Sequence, residues 1–233
     1  MKRRHFLRNG LWVTGALACP HIVRAQLLNG ATLNGASLMN SSGIAYALSE
    51  DFEGTGAPSG WATGPDFDYT TTALDGAQSL NCSGGTSTWK NFTGGSQADL
   101  YCMFRFNAFP SSALVRCIGI VTNNNGDYCA FLRVYATGLV KLYLGGEGDS
   151  DFLADGLSLN TTYHLWITYI TSGTCTLEFN TTATRTGTGN KFISKTGNVN
   201  TAGGIEIISF DGDDFIVDKV RVAVGNTIGS NPT

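Results

Sequence analysis

Histidine is almost absent from this chain: there are three in 233 residues, and only His164 lies beyond residue 25. A histidine-rich metal site is thereby excluded, and a Ser-His-Asp arrangement is confined to the surroundings of His164. A buried or cross-strand imidazole is the simpler account of that residue. Charged residues make up 14% of the chain and prolines number five. No apolar run approaches the roughly 20 residues that a spanning helix needs. Six cysteines are present, and Cys82, Cys102, Cys117, Cys129 and Cys175 lie beyond residue 25, none with the CxxC spacing of a zinc site. Five is an odd count, and a chain of this length needs no disulfide staples to fold. Bases are scarce too. Five of the fifteen Lys and Arg sit in residues 1–25, against none of the eighteen Asp and Glu, so the rest of the chain carries −8. That balance argues against general binding to nucleic acid or anionic membranes unless the remaining bases share one face.

The first 25 residues read as an export signal. A basic start (Lys2, Arg3, Arg4, Arg8) precedes the apolar run 11–19, Pro20 ends it, and Val23-Arg24-Ala25 puts small residues before Gln26. Arg3-Arg4-His5-Phe6-Leu7-Arg8 resembles the twin-arginine motif, read by a bacterial translocase that exports folded proteins. An ordinary secretory signal with adjacent arginines is the other reading. Either places the mature protein in the periplasm, on the cell surface or in the medium. Cys19 fits a lipobox poorly, with Pro20 directly after it. Residues 26–43, with the tandem Leu28-Asn29-Gly30-Ala31-Thr32 and Leu33-Asn34-Gly35-Ala36-Ser37, read as a flexible leader, 44–225 as one globular domain and 226–233 as a polar tail.

Glycine is abundant, at 30 residues, and Gly/Asn/Asp clusters punctuate β-branched and aromatic runs. This is the pattern of an all-β chain of short antiparallel strands. Strands are predicted over 98–106, 113–121, 128–135, 139–144, 163–170, 175–179, 205–210 and 215–224. Centring the turns of a meander pairs Cys102 with Cys117, Arg116 with Arg133, and Arg133 with Lys141. Alternation then sends Leu100, Cys102, Phe104, Phe106, Val115, Cys117, Tyr128, Ala130, Leu132 and Leu142 to the core. The opposite face receives Tyr101, Met103, Arg105, Arg116, Ile118, Cys129, Phe131, Arg133, Tyr135, Lys141 and Tyr143. Like charges directly opposite in a sheet are destabilising by up to roughly 1 kcal/mol per pair, so the row Arg116–Arg133–Lys141 needs a partner. An acidic ligand is one, with tyrosines as stacking surfaces and guanidinium groups as bidentate donors. Carboxylates of a crossing loop (Glu147, Asp149, Asp151, Asp155) are the other. Cys102–Cys117 is the pair to expect if a disulfide forms; two buried thiols are the alternative.

Asp51-Phe52-Glu53-Gly54 with Gly60-Trp61 and Gly76-Ala77-Gln78-Ser79-Leu80 resembles the opening strands of carbohydrate-binding jelly-roll modules. Asn160-Thr161-Thr162-Tyr163-His164-Leu165-Trp166, Thr176-Leu177-Glu178-Phe179 and the closing 215–222 are similar to laminin G-like and concanavalin A-like domains. The resemblance spans about 44–225 and implies an antiparallel two-sheet β-sandwich. It also implies a structural calcium joining the opening and closing strands, at the positions of Glu53 and Asp218, completed by carbonyls and water. Asp211-Gly212-Asp213-Asp214 is a second acidic loop, read as a solvated turn. Hydrolases of this type carry Glu-x-Asp-x-x-Glu, and Glu50-Asp51-Phe52-Glu53 has the wrong spacing. Lyases of this fold use Arg, Tyr and often His, which Arg116, Arg133, Tyr135, Tyr143 and His164 match in kind.

The reading that follows is an exported, non-catalytic glycan-binding module with a leaning toward acidic polysaccharide. Tyr101, Tyr135 and Tyr143 would stack, Arg105, Arg116, Arg133 and Lys141 would bind polar or anionic groups, and Trp89 would stand at the rim. A lyase or hydrolase on the same fold, and a surface, adhesion or virion-like structural module with a protein partner, are the alternatives.

Overall fold

The computed structural model describes residues 43–54, 59–62, 67–85, 87–111, 115–123, 127–197, 200–210 and 212–233. The expected export signal and all but the last residue of the expected leader lie outside the described residues. Fourteen strands follow in order: β1 (Leu48–Glu50), β2 (Phe67–Thr70), β3 (Ser79–Ser83), β4 (Ser87–Gly95), β5 (Gln97–Ala108), β6 (Val115–Val121), β7 (Tyr128–Val134), β8 (Val140–Leu144), β9 (Gly148–Phe152), β10 (Tyr163–Ile170), β11 (Thr174–Asn180), β12 (Phe192–Thr196), β13 (Ala202–Ile208) and β14 (Asp214–Val224). They form two antiparallel sheets, one ordered β12-β11-β10-β5-β14-β3-β2 with β1 also on β14, the other β4-β13-β6-β7-β8-β9. No helix among the described residues is long and apolar enough to cross a membrane.

The inward side chains of both layers make one core, including Leu100, Phe104, Phe106, Leu132, Leu142, Leu165, Phe179, Phe215 and Val217. Alternating burial along β8 shows the local cause: Val140, Leu142 and Leu144 face in, and Lys141 and Tyr143 face out.

Two expectations from the meander are corrected. First, β5 and β6 are not a hairpin but lie in opposite sheets. Both edges of β5 are already occupied: Cys102 pairs with Leu165 of β10, and Phe104 with Val217 of β14. The connection at Phe109-Pro110 runs between the layers, with Pro110 buried and Phe109 packed on Phe106 at 5.6 Å. Cys102 and Cys117 are therefore not cross-strand neighbours; all five described cysteines are buried free thiols. In the same way β13 and β14, flanking 209–213, separate into different sheets.

Second, β6 and β7 each carry a bulge. Arg116 pairs with Arg133, but Ile118 then pairs with Leu132, leaving Cys117 as the extra residue; Cys129 is skipped likewise. A bulge reverses the alternation beyond it. Ile118, Ile120 and Cys129 consequently join the core, and Tyr128 moves to the outer face. Gly119 opposes Phe131 in this register. A Cβ at Gly119 would collide with the Phe131 ring and the Ala130 carbonyl, so glycine is what leaves room for that ring against β6.

Much of the outer face of the larger sheet is covered. Tyr101, Met103, Trp166, Ala223 and Ile228 are buried together there, with Ile44, Tyr46 and Leu74 against them. The Trp166 indole donates to the Gly229 carbonyl at 3.2 Å, so the last residues of the chain pack down as a strap. Beneath it Asp99 is fully buried, accepting from Thr168 Oγ1 (2.7 Å), the Ile228 amide (2.6 Å) and the Arg185 guanidinium (2.5 Å).

Candidate functional site

The outer face of the smaller sheet gathers the basic row, with Phe131, Val121 and Glu206 buried and the cations half-buried. Arg116, Arg133 and Lys141 stand side by side on β6, β7 and β8, with Phe152 of β9 completing the line. Their mutual repulsion is met in two ways. Arg133 forms an ion pair of 2.8 Å with Asp149, one of the loop acids expected as neutralisers, which the fold places on β9. The other cations lie on rings: the Arg116 guanidinium is 3.9 Å from the Tyr128 centroid and 5.7 Å from that of Tyr143. Lys141 Nζ is 4.3 Å from the Phe152 centroid, and Arg133 also lies 5.0 Å from Tyr143. Each such contact is worth about 0.5–1 kcal/mol where solvent reaches it.

Beneath the cations the rings form a small apolar floor. Phe131, Val121 and Ile208 are buried there, edged by Tyr128, Tyr143 and Phe210. Tyr135 meets Phe152 edge-on at 4.9 Å, and Phe152 remains 41% exposed, a flat surface at the sheet margin. Phe152 escaped notice in the sequence because it stands in a Gly/Asp-rich stretch that reads as loop. Tyr128 escaped because no local signal marks the bulge that turns it outward.

The next row across the sheet holds Trp89 of β4, Glu206 of β13, Gly119, Phe131, Tyr143 and Asp149. Trp89 thus stands on the same face, two strands from Arg116. Glu206 was not among the expected site residues, although Ile205-Glu206-Ile207 alternates as an outward-facing acid should. It is 2% exposed, and its Oε2 has no hydrogen-bond partner. Burial pushes its carboxyl up to about 7, against the pull of the Arg116 charge. Beside this row a cleft of about 430 Å³ is lined by Asp127, Tyr128, Tyr143, Glu147 and Asn200.

Two expected members lie elsewhere. Tyr101 and Arg105 face outward from β5 in the other sheet. The Tyr101 hydroxyl is 2.7 Å from His164 Nδ1 under the strap, and Arg105 donates to Asn107. His164, lowered by burial and then by Lys219, favours the neutral form, and its sheet is not that of the arginine row. His164 therefore does not join Arg116, Arg133, Tyr135 and Tyr143; the arginine level with Tyr101 in the strand register is Arg221 of β14.

Glu53 and Asp218 hold the two ends of one loop. Glu53 accepts the Ala77 amide (2.9 Å), and Asp218 accepts the Asp75 amide (3.0 Å) and Ser79 Oγ (2.7 Å). Lys219 Nζ pairs with Asp75 at 2.8 Å. Burial raises the Asp218 carboxyl to about 6. Among the described residues no three His, Cys, Asp or Glu side chains converge as metal ligands. An oxygen-liganded cation here would depend on neutral donors, and Gln78 Oε1 in this loop is buried without a partner. These are oxygen donors of the kind calcium takes, and both carboxylates already accept backbone N–H groups, Asp218 that of Lys219 at 2.7 Å as well.

No protein-family model matches this chain, and no curated protein matches it in sequence. Solved structures do. The chain is similar to the cellulose-induced protein Cip1, at a TM-score of 0.57 and 14% identity over 79% of this chain and 100% of that one. It is similar to the PL-14 alginate lyase of the marine Aplysia kurodai, at 0.58 and 7% over 77% and 99%. A carbohydrate esterase of the Shiga toxin-encoding bacteriophage phi24B follows, at 0.53 and 10% over 79% and 100%. The fold is a jelly-roll β-sandwich. At such identities the likeness carries the fold alone, and any function must be argued from the face just described.

Proposed function

We propose that this chain is a non-catalytic glycan-binding module whose ligand lies across the outer face of the smaller sheet. The observation that carries the reading is one sheet face on which guanidinium and ammonium groups lie against Tyr128, Tyr143 and Phe152 rings, beside a cleft. Rings offer flat apolar surface to sugar C–H faces, and the cations offer directed donors to their oxygens. Lys141 and Arg116, which have no carboxylate in ion-pair contact among the described residues, would supply a preference for acidic polymers. Export by the twin-arginine route belongs to the same proposal. Five buried thiols without a disulfide suit a chain that folds before it leaves the cytoplasm.

Affinity electrophoresis in gels containing neutral or acidic polysaccharide tests the reading. The native chain should be retarded, and Arg116→Ala/Arg133→Ala should bind roughly tenfold or more weakly with its fold intact. Mobility unchanged by every polymer, with self-association in its place, would point to the structural module instead. Unsaturated, ultraviolet-absorbing products would assign a lyase.

A structural calcium held by Glu53, Asp218 and Gln78 Oε1 is proposed with it. At a hundredfold excess over its Kd, calcium would add about 2.7 kcal/mol, raising Tm by roughly 5 °C or more. Gln78→Ala should lose much of that rise. An identical melting curve in millimolar calcium and in chelator would rule the site out.

A further inference from the structure

Three buried polar atoms without hydrogen-bond partners fall on this face: Arg116 Nε, Arg133 Nε and Glu206 Oε2. Buried polar groups in a folded protein are almost always paired, and a partnerless one asks what completes it. Two of these atoms are complementary, since Arg116 Nε donates and Glu206 Oε2 accepts, yet they do not bond to each other. A sugar hydroxyl is donor and acceptor at once, and so answers both.

We propose that Glu206 is a specificity-determining residue that, with Arg116, takes the hydroxyls of an uncharged sugar unit at the centre of the face. The inference rests on the glycan-binding reading and narrows it. Glu206 lies between Trp89 on one neighbouring strand and Gly119 on the other. The Phe131 ring packs where a side chain at Gly119 would stand, so on that side the acid is followed along its row by buried aromatic surface. The charge pattern argues for a neutral unit at this position. Arg133 is neutralised by Asp149, and the Arg116 charge already acts on Glu206. A uronate carboxylate placed beside Glu206 would meet like charge in a partly desolvated site. Polymer acids, where present, would instead fall toward Lys141 at the other end of the row. A carboxylate that is buried and short of hydrogen bonds, kept on an otherwise apolar and aromatic floor, gains its missing partner when the ligand arrives.

The test compares the native chain with Glu206→Gln and Glu206→Met in gels containing a soluble glucan, a xylan, a fructan or alginate. Glu206→Gln keeps the shape and removes the charge; Glu206→Met also removes the acceptor and packs well on rings. Retardation of the native chain by at least one neutral polymer is expected. A loss of roughly tenfold or more in Glu206→Gln, and a larger one in Glu206→Met, should follow, as befits a charge-assisted hydrogen bond. Lys141→Ala should weaken any binding to alginate. If both Glu206 variants bind like the native chain while Arg116→Ala/Arg133→Ala does not, the role of Glu206 is refuted and the glycan reading stands. Native binding to alginate alone, unaffected by either Glu206 variant, refutes it equally. If no polymer retards the native chain, the glycan reading falls and this inference falls with it.

Discussion

Arg185→Ala should destabilise the fold by about 3–5 kcal/mol, the usual consequence of leaving one member of a buried ion pair without its partner. Arg185 reaches over the outer face of the larger sheet to Asp99 (2.5 Å) and to the Ile228 carbonyl (2.7 Å), and it also donates to Thr168. Asp99 is fully buried, and burial already raises its carboxyl while Arg185 opposes that rise. Without the cation its pKa climbs further above the unfolded value. The penalty is then present at neutral pH, where the unfolded chain gains by ionising, shrinks as pH falls toward about 4, and its titrating part is gone below that, where both states are protonated. Urea unfolding at pH 7 and pH 4 measures it. Asp99→Asn/Arg185→Met should recover much of the loss, because the cost lies in the stranded charge. A pH 7 loss below about 1 kcal/mol would show that Thr168 and the Ile228 amide satisfy Asp99 by themselves.

Glu206→Gln should stabilise the protein at pH 8 by up to about 3 kcal/mol and leave it unchanged near pH 4. Burial lifts the Glu206 carboxyl from 4.5 to about 7, with Arg116 as the opposing influence. Below 4.5 the residue is protonated in both states and contributes no pH dependence. Between 4.5 and 7 the unfolded chain releases its proton first, so native stability falls as pH rises, and above 7 the whole cost is present. Glutamine mimics the protonated acid and does not titrate. The two proteins should therefore diverge on chemical denaturation across that window, and parallel profiles would remove the argument that Glu206 is strained. A residue that costs stability where the fold does not need it is what a binding site retains for its ligand.

The basic row was readable in advance because β6, β7 and β8 follow one another through short turns. Arg133–Lys141 pairs as the turn between β7 and β8 requires, and Arg116–Arg133 does so because the bulges at Cys129 and Cys117 cancel. Tyr101 and Arg105 were misplaced for the opposite reason. The turn after β5 looks local, but the partners that occupy both edges of β5 come from β10 and β14, far along the chain. No short-range pattern reports which distant strand arrives first. Glu206 was missed on the same ground. Its outward direction is visible in Ile205-Glu206-Ile207, but that β13 lies beside β6, next to Arg116, is a matter of sheet order.

What the sequence determined alone is what alternation and turn chemistry encode within a few residues: an all-β chain, most strand positions, and the inward or outward direction of each side chain up to the next bulge. Only the tertiary structure decided which outer face is covered, by burying Tyr101, Trp166 and Ile228 under the chain's last residues. It also turned Tyr128 outward through the bulge at Cys129 and brought Glu206 beside the arginines. The physical reason is that strand partnership is settled by how two apolar layers close on one another, a long-range burial that no single segment carries.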